Sequence, residues 1–197
     1  MKKGERTRER IIRQAAPLFN QRGYEGSSIN EIMAATALEK GGIYRHFRSK
    51  QELAAEAFDY AWAEAAKTRR HDIDSVANSV DKLKRYVANF VERRGSVPGG
   101  CPLLNTAMDS DDGNAVLRTR ARRALENWQN FLSSIVARGI KKGEIRRQVS
   151  KTKLANLMIA TLEGAVMIGR LEESLEALRD AQTHLNNYLE TKVRATN

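Results

Sequence analysis

Cysteine occurs once, at Cys101, so neither an intrachain disulfide nor a cysteine-rich zinc site is open to this chain. Proline occurs only at positions 17, 98 and 102, which leaves the C-terminal half free for uninterrupted helices. No stretch approaches the ~18 continuous apolar residues of a membrane span. Met1-Lys2-Lys3-Gly4-Glu5-Arg6 carries no apolar run of the kind that opens a signal peptide. There is no glycine-rich phosphate loop following a strand, no nucleophile–base–acid ordering in strand-turn context, and no cluster of spaced metal ligands. His71 and His184 stand alone among polar neighbours, as surface histidines do. These absences predict a cytoplasmic, non-enzymatic protein with no membrane partner, no metal and no cofactor.

Charged residues are plentiful, at 29% of the chain, and amphipathic runs dominate, which predicts an all-α protein. At 197 residues the chain can bury a proper core in one or two domains. Its net charge of +10 is uneven: residues 1–50 hold 11 Lys/Arg against 5 Asp/Glu, and the remainder holds 23 against 19. A basic excess on the first quarter is what phosphate attraction requires, although a basic terminus can also be no more than a solvated surface.

The segment Ser28–Leu53 decides between these. Ser28 and Glu31 form a capping box, and Ser49 and Glu52 repeat it, so two helix starts are written into the sequence. Between them Ile43 and Phe47 share one buried stripe at i, i+4. At about 100° per residue, Arg45 lies nearly opposite Ile43, with Gly41 and Gly42 on the same outer side and Tyr44 at its flank. A short helix after a tight turn, thin in apolar residues and basic outside, is how a helix-turn-helix presents a recognition helix to the major groove. Gly41 and Gly42 each cost about 1 kcal/mol relative to Ala inside a helix, a poor choice unless a partner must approach the backbone.

Leu38-Glu39-Lys40-Gly41-Gly42-Ile43-Tyr44-Arg45-His46-Phe47-Arg48-Ser49-Lys50 resembles the DNA-binding signature of the TetR family of bacterial transcriptional regulators. Ala15-Ala16-Pro17-Leu18-Phe19 and Arg22-Gly23-Tyr24 are similar to that family's first helix and its end. The resemblance is specific over residues 6–53. Glu39 departs from it, standing where Ser or Thr is usual; an acid there cannot donate to a phosphate. The resemblance implies base-proximal positions at Lys40, Gly41 and Arg45, with phosphates held by Ser28, Tyr44, His46 and Lys50. Arg45 would donate in bidentate fashion to guanine O6/N7. Lys50, at a helix start, would add its charge to free N–H groups.

The rest of the chain reads as further helices. The first covers about 6–22, with a bend expected at Pro17; short helices follow at 28–35 and 39–46, then a longer one at 50–69. A fifth begins near Val76, a short one covers Leu103–Met108, and long helices run over 115–142, 151–171 and 175–193, with Ser150 and Ser174 as caps. The expected division is a DNA-binding domain at 1–49 and an effector-binding and dimerisation domain at 50–197. Asp109-Ser110-Asp111-Asp112-Gly113 fails as a calcium loop, because its glycine falls fifth and its twelfth position is Arg120.

The family resemblance favours an effector pocket in the second domain. Its expected lining is Phe58, Trp62, Tyr86, Phe90, Cys101, Leu104, Met108 and Trp128, and its ligand an uncharged or weakly charged, partly hydrophobic molecule. Aromatics at helical spacing are also what an ordinary core contains. Cys101 sits in a Gly-Gly-Cys-Pro turn where its thiol could be accessible, either as a pocket wall or as a reactive sensor. Leu154, Leu157, Leu162, Val166, Leu178, Leu185 and Leu189 predict a homodimer interface on the last two helices, with an inverted-repeat operator on double-stranded DNA. The alternative is packing of those residues onto the same subunit. The expected function is a repressor released from DNA by a small molecule. A helical small-molecule-binding or interaction protein that keeps the motif without binding DNA is the competing reading.

Overall fold

The computed structural model describes residues 3–93, 95–110 and 113–196. Among them are nine α-helices: α1 Lys3–Arg22, α2 Ile29–Thr36, α3 Lys40–Tyr44, α4 Lys50–Arg69, α5 Ser79–Glu92, α6 Pro102–Asp109, α7 Ala115–Lys141, α8 Lys151–Leu171 and α9 Glu176–Tyr188. A single π-helical turn, Leu189–Val193, extends α9. The only β pairing among the described residues is one antiparallel bridge between Ile145 and Arg194.

Helix α1 runs through Pro17 without ending. The fifth helix starts later than its apolar repeat suggested: Val76 lies outside, and Asn78 caps α5 by accepting from the N–H groups of Val80 and Asp81. Ser150 caps α8 as expected. Ser174 stands one residue before the N-cap position of α9, yet its Oγ still accepts from the N–H of Glu176. Of the acidic loop weighed for calcium, Asp111 and Asp112 lie outside the described residues.

The chain divides into two compact units, residues 1–65 with 95–124 and residues 66–94 with 125–197. This differs from a cut at 49/50, because α6 and the start of α7 pack with the N-terminal helices. In the first unit, Ile11, Ala15, Ile32, Ile43, Phe47 and Leu53 are buried together. Helix α6 is fastened to the end of α1 by polar contacts. The Asn105 side-chain amide donates to the carbonyls of Asn20 and Gly99 (both 2.8 Å), and the Asp109 carboxylate accepts from the Tyr24 N–H at 2.7 Å. Gly99 has φ +112°, and a Cβ there would lie 2.8 Å from the Asn20 side-chain nitrogen. That contact explains the glycine in the irregular segment before α6.

The second unit is built on α8, whose Leu154, Ala155, Met158, Ile159, Leu162, Ala165 and Gly169 are buried. Helix α9 adds Ala181 and Leu185 to that interior. By length and composition alone α8 is long and apolar enough to cross a membrane. It serves here as a core helix, and it carries Lys151, Lys153 and Glu163.

Candidate nucleic-acid interface

The capping box at Ser28 forms as the sequence predicts. Ser28 Oγ accepts from the Glu31 N–H at 3.2 Å, while Glu31 Oε2 accepts from the Ser28 N–H at 2.8 Å. Glu31 also pairs with Arg22, tying the end of α1 to the start of α2. The second box closes one residue out of register. Ser49 Oγ accepts from the Glu52 N–H at 3.1 Å, but the Glu52 carboxylate reaches the Arg48 N–H at 2.7 Å in place of that of Ser49. Between α2 and α3 the chain reverses through Ala37 in the left-handed region (φ 52°, ψ 39°), with its N–H bonded to the Met33 carbonyl. Buried Thr36 turns its hydroxyl back to the Ile32 carbonyl at 2.7 Å, so the turn carries no stranded polar group.

This turn sets the orientation of α3. Ile43 and Phe47 are buried, whereas Lys40, Gly41, Tyr44 and Arg45 are exposed and Gly42 and His46 are half-buried. The Arg8 guanidinium lies 4.7 Å above the Phe47 ring and pairs with Glu56, which clamps α1, the segment between α3 and α4, and α4. Arg8 was not legible as such in the sequence. Glu39 is the N-cap of α3 and makes no side-chain capping bond, as a residue longer than Ser or Thr would be expected to behave.

Lys50, the first residue of α4, holds its ammonium 4.3 Å from the centre of the Tyr24 ring. Burial pushes the Tyr24 hydroxyl above its ordinary pKa, so the ring is neutral beneath that cation. The two glycines differ. A Cβ on Gly42 would meet Leu38 at 3.6 Å, an ordinary contact, whereas one on Gly41 would meet nothing within 4 Å. No contact within the chain therefore asks for glycine at position 41.

Residues 11–57 match the family described as bacterial regulatory proteins, tetR family, and residues 79–185 match the tetracyclin repressor-like C-terminal domain. The chain belongs to the TetR family. Its fold is shared with a TetR transcriptional regulator from Chloroflexus aurantiacus J-10-FL, 47% identical with all of both chains covered and a TM-score of 0.94. A TetR-family regulator from Cytophaga hutchinsonii is 33% identical over 100% of this chain and 99% of that one, with a TM-score of 0.93. The HTH-type transcriptional repressor DhaR of Mycobacterium sp. (strain GP1) is 27% identical over 87% of this chain and 86% of its own length. This TetR-family chain is thus a DNA-binding transcriptional regulator of the helix-turn-helix type.

The structure corrects several expectations for the remaining site residues. Of the pocket set, Phe58, Trp62, Cys101, Leu104 and Met108 belong to the first unit, and Tyr86, Phe90 and Trp128 to the second. Met108 is 76% exposed, so it lines no interior: it falls on the outer face of α6, while Pro102 and Leu103 take the buried side. The Cys101 thiol is buried, because the turn that carries it packs inward at the start of α6. One cleft of the first unit, lined by Phe19, Tyr24, Phe58 and Asn105 among others, holds about 20 Å³, room for about one water; a larger one of about 310 Å³ lies among the polar and charged side chains of Glu9, Arg13, Glu56, Asp59 and Tyr60.

Leu154, Leu162, Leu185 and Leu189 are buried within the chain, so they do not offer a surface to a partner. Of that set Leu157 is exposed, and Val166 and Leu178 are half-buried. The exposed apolar surface is instead Leu157, Met167, Ile168, Leu171 and Leu175, with Leu171 81% open. Among the described residues no group of three or more His, Cys, Asp or Glu is placed to hold a metal.

Proposed function

We propose that this regulator binds an inverted-repeat operator as a homodimer, represses transcription there, and leaves the DNA when a small effector binds its C-terminal unit. The observation that carries the DNA contact is Gly41. It costs helix stability, has open space where a side chain would stand, shares with exposed Arg45 the face opposite Ile43, and adjoins exposed Lys40. A closely approaching base edge or sugar-phosphate backbone accounts for that combination. Lys40, Gly41 and Arg45 read bases in this reading, and Ser28, Tyr44, His46 and Lys50 hold phosphates, with Gly42 admitting the backbone of α3 to the groove.

The dimer reading rests on one face of α8. Leu157, Gly164, Ile168 and Leu171 recur at helical spacing on its outer side, and a Cβ on Gly164 would meet nothing within the chain. A second copy packed there would cover the stripe, and the two-fold dimer so formed is what an operator with half-sites about one helical turn of DNA, ~34 Å, apart requires. Repression follows by analogy with the repressor relative.

A gel shift with the DNA upstream of the chain's own gene, titrated with candidate ligands, tests the whole reading. Specific retention that a ligand reverses is the expected result. Sedimentation at micromolar concentration tests the dimer: the native chain should run as a dimer and Leu171→Glu as a monomer with lost operator binding. A monomeric native chain would refute that part.

A further inference from the structure

The second unit buries a cation inside aromatic walls. The guanidinium of Arg69, 8% exposed, lies 4.4 Å from the centre of the Phe90 ring and 4.7 Å from that of Trp128. The two rings are stacked, with centroids 6.0 Å apart and planes 17° from parallel. Tyr86 borders Trp128 at 6.4 Å, and the Glu163 carboxylate stands 3.8 Å from the Arg69 guanidinium, itself largely buried. Aromatic faces plus one carboxylate in a water-poor setting form an environment that selects positive charge and disfavours neutral or anionic groups.

Arg69 is the last residue of α4, the helix that begins at Lys50. Its backbone is held separately: the buried Asn89 amide donates to the carbonyls of Arg69, at 3.2 Å, and His71, at 2.6 Å. The guanidinium can therefore leave the box by side-chain rotation while its main chain stays fixed. A core helix gains little by ending on a buried cation, because well-packed apolar residues usually serve stability as well as a buried ion pair does. The pair is explained better by an exchange than by a need for stability.

We propose that Phe90, Trp128, Tyr86 and Glu163 form a binding site for a small lipophilic organic cation, such as a quaternary ammonium or a substituted guanidinium, and that Arg69 fills it until such a ligand displaces it. This rests on the reading of the C-terminal unit as the effector domain, and it narrows the uncharged or weakly charged, partly hydrophobic ligand expected from the sequence to a cationic one. The ligand would take the place of the guanidinium against the two rings, with its apolar substituents on Phe90 and Trp128 and its charge toward Glu163. Displacement frees the side chain at the end of α4, so ligand occupancy and the state of that helix are linked.

The test follows the Trp128 indole N–H by NMR, assigned by its absence in Trp128→Phe, during titration with tetramethylammonium chloride against sodium chloride of equal ionic strength. A saturable shift is expected for the native chain. Arg69→Ala, which empties the box, should saturate at least tenfold earlier, and Glu163→Gln, which keeps the shape and removes the charge, at least tenfold later than native. Arg69→Met, which refills the space without charge, should gain less than Arg69→Ala and covers the case in which the alanine variant does not fold. An equal response to the neutral isostere neopentyl alcohol would make the box plain core and overturn the proposal. So would a shift with benzoate that Arg69→Ala abolishes, since Arg69 would then be an anion anchor. A chain that retains operator DNA but shows no saturable tetramethylammonium shift rules out the cation site alone, and loss of DNA retention with an intact shift rules out the DNA reading alone.

Discussion

Replacing Gly41 by Ala should stabilise the protein while weakening its grip on DNA. The added methyl enters open space in the free chain, and Gly41 lies in the first turn of α3. Relief of backbone entropy should therefore appear without a steric penalty, at about 0.5–1 kcal/mol. For a chain of this size that is a rise of roughly 1–4 °C in Tm. On the operator the same methyl occupies space that the DNA needs, and overpacking a close interface by one methyl costs ~1–3 kcal/mol, about 5- to 150-fold in Kd. Thermal melts of the free protein and fluorescence anisotropy with a labelled operator measure the two effects on one preparation. Because stability and affinity move in opposite directions, general damage to the fold cannot imitate the result. A variant that melts higher and binds operator as tightly as the native chain would refute the placement of DNA against Gly41. A variant that melts lower would refute the account of α3 itself.

Four further outcomes follow from other residues. Arg45→Ala should weaken the specific operator by ~1–3 kcal/mol and relax base preference at one position per half-site. Lys50→Ala should instead weaken all sequences alike and reduce the salt slope by about one; equal loss on specific and random DNA for Arg45→Ala would exclude its base-reading role. Gly99→Ala should destabilise by about 2–5 kcal/mol in urea melts, because its methyl would strike Asn20 and its φ is positive; a loss under 1 kcal/mol would show that the Asn20–Asn105 junction yields easily. Hydrogen bonds from Ser79, with Lys142 and Lys82 nearby, hold the Glu144 carboxyl below its ordinary pKa against the opposing effect of burial. A group depressed on folding stabilises above its unfolded pKa of about 4.3, and that contribution is lost as pH falls through the lower folded value. Glu144→Gln should therefore flatten the decline in urea midpoint below about pH 4, and an unchanged slope would contradict the assignment.

The DNA-facing half was legible because its signals are local. A capping box needs residues three apart, a turn needs a break in periodicity, and a recognition helix needs one thin apolar stripe; each fits within a dozen residues of sequence. The second box slipped by one residue because a glutamate side chain reaches the N–H of Arg48 as readily as that of Ser49, and only the backbone geometry chooses between them. Arg8 and Tyr24 were missed for the opposite reason. Their roles depend on Phe47 and Lys50, both distant in sequence, and a cation above a ring leaves no periodic trace. One sequence signal bears on the proposed cation box: Glu163 interrupts α8, a helix long and apolar enough to cross a membrane, and an acid in such a stretch requires a positive partner.

The leucines of α8 show where periodicity stops being informative. Taking about 100° per residue from Leu154, the buried Met158, Leu162 and Ala165 fall within one quadrant, while Leu157, Gly164, Ile168 and Leu171 fall on the adjacent side. Both faces are apolar, so hydropathy alone assigns them equal claims on the interior, and the expected interface drew members from each. What separates them is residue size and supply of neighbours. Helix α9 brings Ala181 and Leu185 to the inner face, and Gly169 there has its place for a Cβ filled by the Ser174 carbonyl at 2.6 Å. Gly164 on the outer face has nothing in its place, and Leu171 has 81% of its surface in water. A chain that leaves Met167, Ile168, Leu171 and Leu175 exposed to water forgoes roughly 25 cal/mol for each Å² it leaves uncovered. A second copy of the same helix pair can recover that energy through a self-complementary contact, and the two-fold axis so created is what an inverted-repeat operator requires.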